Sequence, residues 1–281
     1  MKFYKYQGAG NDFLIADNRD GSVVLSTEQI AALCDRRYGV GADGLMLLDA
    51  PENELSEDFR MTYYNSDGSG GMMCGNGGRC IVAFAADMGI RNYRFTAADG
   101  FHHAVISSDD TRTKIVTLQM KDVSVYEHYD VLEGVDVPSE GSFLDTGTRH
   151  YVRIVEDVDG YDVVGEGRAI RYGAVQLQPV GANVNFIEPA DGSVLKVRTY
   201  EKGVEDETFA CGTGIVASCI AAFMAGINPS EICSDGSVRY DVRAKRDNLS
   251  VRFTPCEDGM VAEQVYLTGP ATFVAEVTVT I

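Results

Sequence analysis

Two short phrases carry the reactive side chains of this sequence. "MMCGNGGRC" (72–80) and "FACGTGIVASC" (209–219) each set a cysteine, Cys74 and Cys211, before Gly-x-Gly and then run into a small, apolar stretch. The pattern reads as a cysteine at the start of a helix. The first N–H groups of a helix have no intrahelical acceptor and carry partial positive charge, which favours a thiolate beside them. The glycines let a ligand approach the backbone, where the same N–H groups can hold a carboxylate. One such site could serve as nucleophile, redox centre or structural thiol. Two of them, brought to one cleft, would flank an α-carbon from opposite sides. One thiolate would then remove the α-proton, and the opposing thiol would protonate the other face and invert the centre. The α-proton of an amino acid is far less acidic than a thiol, so the carbanion must be stabilised. N–H donors to the carboxylate supply about 3–4 kcal/mol each, and positioned acid–base groups about 10²–10⁴-fold in rate.

The same residues admit other chemistry. A thiol hydrolase would pair one cysteine with a histidine, and His150 in "TGTRHYV" could serve, which leaves the second cysteine without a role. A thiol redox or binding protein without turnover also stays open, since two facing low-pKa thiols oxidise easily to a disulfide. Pyridoxal chemistry would need a Schiff-base lysine, and no lysine has a setting that singles it out, so the expectation is no cofactor. Cysteine spacings of six (Cys74 to Cys80) and eight (Cys211 to Cys219) do not match Cys-x-x-Cys clips, so no metal is expected. Cys80 and Cys219, inside the apolar stretches, read as core residues. The G-x-G-x-x-G at Gly39, Gly41 and Gly44 follows a helix and leads into the apolar strand "LMLLDA", the reverse of a dinucleotide fingerprint. His102 and His103 are adjacent in a strand-like run and point to opposite faces. His128 reads as a surface residue, and the acidic run "ENELSED" (52–58) as a solvated loop.

The elements that must position the two cysteines are a mixture of strands and helices. "MKFYKY" and "DFLIAD" read as short strands, and strand signals dominate from 93 to 127 and from 236 to 281. "STEQIAALCDRRYG" (26–39) reads as a helix, with Ser26 and Gln29 as a capping box, Ile30 and Leu33 on one face and Gly39 as the stop. "GYDVVGEGRAIRYG" (160–173) is a weaker helix, interrupted by glycines. There is also an internal echo. Cys-Gly-Asn-Gly at 74–77 repeats as Cys-Gly-Thr-Gly at 211–214, an offset of 137, and "MTYYN" (61–65) parallels "VRTYE" (197–201) at 136. "GAGNDF" (8–13) parallels "GANVNF" (181–186) at a different offset of 172. The shared order implies two related α/β halves, each with a cysteine at the start of its main helix.

Composition bounds the partners. The formal charge of −18, from 24 basic and 42 acidic residues, argues against nucleic acid and anionic membrane surfaces. The longest apolar stretch, "GIVASCIAAFMAGI" (214–227), is shorter than the roughly 18 residues of a membrane span. The N-terminal "MKFYKYQGAG" lacks the apolar core of a signal peptide, so the expected location is cytoplasmic. Seven cysteines in 281 residues do not form a disulfide framework.

"GAGNDF", "YNSDGS", "MCGNGGRC", "GANVNF", "YEKGVEDETFACGTG" and "YLTGPA", in this order over nearly the whole chain, resemble the diaminopimelate epimerase family. The resemblance implies interconversion of LL- and meso-diaminopimelate in lysine and cell-wall biosynthesis, without cofactor or metal. It implies an α/β (α+β) fold of two pseudo-symmetric halves, each a curved, mostly antiparallel sheet or barrel around a central helix. The halves would be residues 1–120, joined by the C-terminal strand 269–281, and residues 121–268, with the active site in the cleft between them. A homodimer is implied as well. Carried over by motif, Cys74 and Cys211 would be base and acid, with His150 and Glu201 aiding proton traffic at the thiols. Gly75, Asn76, Gly212 and Thr213 would hold the reacting carboxylate, and Asn11, Asn65, Asn183 and Glu201 would line the substrate site. A proline or hydroxyproline racemase of the same fold is the near alternative; those relatives usually carry histidine where Asn76 stands.

The chain departs from the family pattern at the part that grips the distal end of the substrate. The family commonly has glutamine at the place of Gly44, Asn-Pro-His at Thr148, Arg149 and His150, and Glu-Arg at Glu201 and Lys202. "GVEDET" is one residue longer than the common form. Lysine cannot make the bidentate fork of arginine to a carboxylate, so Arg149 or Lys202 would supply the distal charge in an altered geometry.

Overall fold

A computed structural model describes residues 1–71, 73–190, 193–256 and 259–280. Met72 and Ile281, which belong to stretches quoted above, lie outside the described residues. In chain order the strands are β1 (Lys2–Gly8), β2 (Asn11–Asn18), β3 (Gly44–Asp49), β4 (Phe59–Asn65), β5 (Tyr93–Ala97), β6 (Gly100–Asp109), β7 (Thr113–Gln119), β8 (Val125–Tyr129) and β9 (Gly141–Asp145). They continue as β10 (Arg149–Ile154), β11 (Asn183–Ala190), β12 (Val194–Glu201), β13 (Asp206–Thr208), β14 (Glu231–Ile232), β15 (Val238–Arg243), β16 (Asn248–Pro255) and β17 (Ala262–Thr278). The α-helices are α1 (Thr27–Cys34), α2 (Gly75–Asp87), α3 (Val163–Gly173) and α4 (Gly212–Met224). The chain divides into one unit of Met1–Gln119 with Thr268–Ile281 and a second of Met120–Leu267.

In the first unit, eight strands close on themselves. β1 pairs with β2 and β17, β2 with β3, β3 with β4, β4 with β5, β5 with β6, β6 with β7, and β7 returns to β17. Only β2–β3 and β4–β5 are parallel, and helices α1 and α2 make those two crossovers. Helix α2 packs against β1, β2, β3, β6 and β7, and its residues from Gly75 to Ala85 are all buried. A helix apolar all round and rich in Gly and Ala suits enclosure by strands. A Cβ at Gly78 would stand 2.6 Å from the Met73 side chain and 2.8 Å from that of Leu118. The one charged residue so buried, Arg79, turns its guanidinium back onto its own helix, donating to Asn76 Oδ1 at 2.9 Å and to the Gly75 carbonyl.

The second unit repeats the order of pairings. β9–β10 is antiparallel, β10–β11 parallel, β11–β12 antiparallel, β12–β15 parallel and β15–β16 antiparallel, the same alternation as β1 through β6. Helix α3 makes the first crossover and α4 the second. Helix α4 has the same length as α2, 13 residues, and packs against β9, β10, β11, β12 and β16. Each unit is therefore a curved, mostly antiparallel sheet around a central helix, and the chain is α+β.

This register corrects one of the three echoes. The parallel partner of Phe13 is Gly44, and the parallel partner of His150 is Asn183. So β2 corresponds to β10 and β3 to β11, and "GAGNDF" and "GANVNF" occupy different places in their units. The counterpart of Asn11 is Thr148, at the same offset of 137 that relates the two cysteines. The misleading similarity arose because both phrases are a glycine turn followed by asparagines on a strand.

Two other expectations change in detail. The Ser26–Gln29 capping box forms and Ile30 and Leu33 are buried, but α1 stops at Cys34, five residues short of Gly39. Asp35 ends it, because its carboxylate accepts the N–H groups of Arg37 and Tyr38 and bends the chain away. The acidic run 52–58 is exposed except at its end, where Glu57 is 5% exposed. Its carboxylate caps the loop by accepting the N–H of Glu52 at 2.6 Å, and it also takes the Thr96 hydroxyl.

Cys80 and Cys219 are fully buried in α2 and α4, and burial pushes both thiols well up. Cys80→Ala and Cys219→Ala should each lower stability by about 1–2 kcal/mol through a small cavity, with turnover per folded molecule unchanged. Denaturant unfolding and an activity assay on the same samples check this.

Candidate active site

In the first unit Cys74 is the N-cap of α2, with φ −111° and ψ 128°, and its carbonyl accepts the first helical bond from the Gly78 N–H at 2.7 Å. Its sulfur lies 3.7 Å from Asn11 Oδ1, across the start of β2. The Asn11 amide cannot turn over, because its Nδ2 donates to Asp43 at 2.5 Å and a carboxylate only accepts. Asp43 and Asp12 share Arg36, and Lys5 also reaches Asp12. Burial tends to raise the Asp12 carboxyl, but Arg36 and Lys5 outweigh it and hold it below its ordinary value. Asn76 turns its side chain inward to Arg79, so the part of it suited to a carboxylate is its backbone. Asn65 is exposed at the end of β4 and ties the following turn through Ser69. Gly44 is hemmed in: a Cβ there would stand 2.6 Å from the Tyr63 ring and 2.7 Å from the Tyr64 carbonyl. Tyr63 occupies the space that a longer side chain at position 44 would enter.

In the second unit Cys211 is the N-cap of α4 and accepts the first helical bond from the Ile215 N–H at 2.8 Å. Its sulfur lies 3.5 Å from Thr213 Oγ1. That hydroxyl touches His150 Nε2 at 3.0 Å and accepts from Thr148 Oγ1 at 3.0 Å, and Thr148 Oγ1 is itself 2.9 Å from His150 Nε2. On the far side of the ring, His150 Nδ1 meets Asn185 Nδ2 at 3.1 Å. Asn185 is oriented by the Tyr151 carbonyl, which takes its Nδ2, and by Thr199, whose hydroxyl donates to its Oδ1. Since His150 is fully buried with no charged partner in this set, desolvation depresses its pKa to about 3 and the ring is neutral. Its proton then sits on Nε2, because Nδ1 faces a donor. The third residue of Gly-x-Gly has a steric cause here: a Cβ on Gly214 would fall 2.4 Å from Asn185 Oδ1 and 3.2 Å from the His150 ring.

Asn183 acts as a strut. Its Nδ2 donates to the Arg149 carbonyl at 3.1 Å and its Oδ1 accepts the Lys202 N–H at 2.8 Å, so its amide joins β10 to the end of β12. Glu201 accepts the Thr208 hydroxyl at 2.8 Å. The Arg149 guanidinium lies 5.0 Å from the centre of the Phe143 ring and donates to the Leu177 carbonyl, while Lys202 is exposed. Of the residues singled out in the sequence, Asn11 thus gathers at Cys74, and His150 and Thr213 gather at Cys211. Asn183 and Lys202 meet through the backbone, and Gly75 and Gly212 open the two helices. The sequence reading missed Asn185 and Asp43. Asn185 had a signal, a lone amide in an apolar strand run on the same face as Asn183; Asp43 had none.

Two like units, each a sheet around a central helix, define a structural class with solved members. The fold matches a phenazine biosynthesis protein of the PhzF family from Bacillus anthracis with a TM-score of 0.74 at 14% identity, over 100% of this chain and 99% of that one. It also matches a hydroxyproline epimerase from Agrobacterium vitis with a TM-score of 0.70 at 14% identity, over 99% and 91%. At such identities the likeness is one of fold. Sequence similarity is narrower. The profile of the family described as diaminopimelate epimerase matches residues 3–125 and 142–274. The diaminopimelate epimerase of Flavobacterium psychrophilum is 42% identical over 99% of this chain and 100% of its own. That of Chlorobaculum tepidum is 42% identical over 98% and 99%. The chain belongs to the diaminopimelate epimerase family.

The neutral, buried His150 has a pH consequence. Its folded pKa lies below the unfolded value, so between about pH 6.5 and 3 the unfolded chain binds a proton that the native one does not. Its contribution is complete above pH 6.5 and falls by up to about 1.4 kcal/mol per pH unit on acidification. Replacing His150 by Asn should flatten that part of a stability-against-pH curve measured by urea unfolding. Gly214→Ala should push Asn185 off the ring and cost about 1–3 kcal/mol, seen as a lower urea midpoint.

Proposed function

We propose that this protein interconverts LL- and meso-diaminopimelate by proton transfer between the substrate α-carbon and two thiols, Cys74 and Cys211, without a cofactor. The observation that supports it best is the duplication: in each unit a 13-residue buried helix starts at a cysteine followed by Gly-x-Gly, in a chain whose family is diaminopimelate epimerase. The substrate carboxylate is taken by the backbone N–H groups of Gly75, Asn76, Gly212 and Thr213 at the starts of the two enclosed helices. One thiolate removes the α-proton, electron density moves onto the carboxylate, and the opposing thiol supplies a proton to the other face. The N–H donors act on the charge that develops in the enediolate, which is where preorganised dipoles contribute most. Asn11, Asn65 and Glu201 line the substrate, and Asn183 fixes the backbone of Arg149 and Lys202 around it.

The distal carboxylate is met by Arg149 or Lys202. Arg149 is the more restrained of the two, held over Phe143 and by Leu177, so less ordering entropy is lost when it binds. The protein works in the cytoplasm as a homodimer.

In heavy water the protein should exchange the α-hydrogen of diaminopimelate for deuterium. Cys74→Ala and Cys211→Ala should each lower epimerisation by several orders of magnitude, and near-normal turnover in either variant would refute the two-thiol assignment. Arg149→Ala or Lys202→Ala should raise KM for diaminopimelate at least tenfold while changing kcat less. If KM is unchanged in both, the distal assignment fails.

A further inference from the structure

A polar set stands in the second unit where the first unit has an apolar one. The pairings that match Phe13 with Gly44 and Met46 with Tyr63 in one unit match His150 with Asn183 and Asn185 with Thr199 in the other. Phe13, Met46 and Tyr63 are thus the counterparts of His150, Asn185 and Thr199, and Gly77 of α2 is the counterpart of Gly214 of α4. Both sets pack against the first turn of their helix. A Cβ on Gly77 would stand 3.2 Å from the Met46 sulfur and 3.6 Å from the Phe13 ring, and one on Gly214 would stand 2.4 Å from Asn185 Oδ1 and 3.2 Å from the His150 ring. Phe13 and Met46 fill their places fully buried, as do His150 and Asn185. A satisfied polar network inside a protein does little more than break even against apolar groups of similar shape. The polar version therefore contributes something besides stability, and what a satisfied network contributes is orientation.

The orientation can be followed atom by atom. The Tyr151 carbonyl only accepts, so the Asn185 atom 3.3 Å from it is Nδ2, and the Thr199 hydroxyl donates to Asn185 Oδ1 at 2.9 Å. With its amide so fixed, Asn185 gives its other Nδ2 hydrogen to His150 Nδ1 at 3.1 Å. The ring hydrogen is then on Nε2, which lies 2.9 Å from Thr148 Oγ1 and 3.0 Å from Thr213 Oγ1. Thr146 holds the same residue by its backbone, donating to the Thr213 carbonyl at 3.1 Å. Thr213 is the second residue of α4, so its N–H is one of those left without an intrahelical acceptor.

We propose that Asn185, with Thr199 behind it, is a positioning residue for the epimerase reaction: it holds the His150 ring with Nε2–H toward Thr148 and Thr213, and so fixes Thr213 where the substrate carboxylate is taken. The inference rests on the reading above that Thr213 belongs to the carboxylate site. Asn185 acts through His150 and Thr213 and not on the substrate. In this arrangement His150 gives a hydrogen bond and takes no proton, because the lone pair of Nδ1 is occupied by Asn185. A Thr213 N–H that wanders meets the enediolate less well than one held in place, and the loss falls on kcat because the charge develops in the transition state.

The test joins a spectroscopic and a kinetic measurement on the full chain. In protein labelled with nitrogen-15 histidine, long-range nitrogen–proton correlation at neutral pH should show the His150 ring as the Nε2–H tautomer, its signals identified by their absence from His150→Phe. Asn185→Met places at this position the side chain of its counterpart Met46, and should give a ring that samples both tautomers. With diaminopimelate as substrate, its kcat should fall at least about tenfold with a smaller change in KM. Thr199→Val removes the hydroxyl that orients Asn185 and should shift both readouts the same way, with Thr199→Ser restoring them; this pair keeps the inference testable if Asn185→Met fails to fold. A merely structural role would lower the urea midpoint and leave tautomer and kcat per folded molecule in place. That result, or an Nδ1–H ring in the unaltered protein, overturns the assignment. Loss of turnover in Cys74→Ala and Cys211→Ala beside an unimpaired Asn185→Met would sink this inference alone. Near-normal turnover in those cysteine variants beside an impaired Asn185→Met would sink the two-thiol reading and support this one.

Discussion

A helix enclosed by strands leaves the N–H groups of its first turn pointing out of one end with no carbonyl to receive them. That end must meet something polar, and here each enclosed helix meets it at a cysteine followed by Gly-x-Gly. The rest of each unit can be understood from this constraint. The helix is short, apolar and rich in small residues so that the sheet can wrap it. The parallel crossovers exist because a helix must join strands whose far ends are adjacent. The turns that lead into β2 and β10 bring Asn11 to Cys74 and Thr148 to Thr213, at the starts of α2 and α4.

Several of the polar groups admitted to the interior are held by partners on their own helix or on a neighbouring strand. Arg79 is among the largest fully buried side chains of the described residues, and it returns its charge to the carbonyl and amide oxygens of α2's own first turn. His150 and Asn185 are fully buried, but each ring or amide atom has a partner of the right kind, so neither is left with the cost of a desolvated, unsatisfied group. Such a network loses much if one member is removed, which is why Gly214 has no space for a Cβ.

Duplication explains why the units share a topology, and divergence explains why their chemistry need not be the same. Asn11 stands where the other unit has Thr148, and Asn76 where it has Thr213. An amide carbonyl accepts and a hydroxyl can donate, so corresponding places present different polar groups beside the two sulfurs. The same divergence shows at Gly44, whose counterpart in the other unit is Asn183. In one unit an aromatic ring, Tyr63, fills the place beside the strand, and in the other an amide bridges two strands.

What could be read from the amino-acid order alone was whatever depends on near neighbours. A cysteine before Gly-x-Gly and an apolar run specifies a helix start and hence a thiol at a positive dipole; Ser26 and Gln29 specify a cap; alternation in β6 separates His102 from His103. The place where α1 ends was misjudged because Asp35 competes for nearby N–H groups that a glycine signal does not reveal. The 8–13 and 181–186 phrases were matched wrongly because likeness of residues is not likeness of register, which is decided by pairing between strands. Only the tertiary structure could place Asn11 at Cys74, 63 positions away, or His150 at Thr213, also 63 positions away. Helix starts are made by consecutive residues, whereas the direction of a hydrogen bond to a side chain depends on every other bond its partner makes, and those partners are gathered from distant strands by folding.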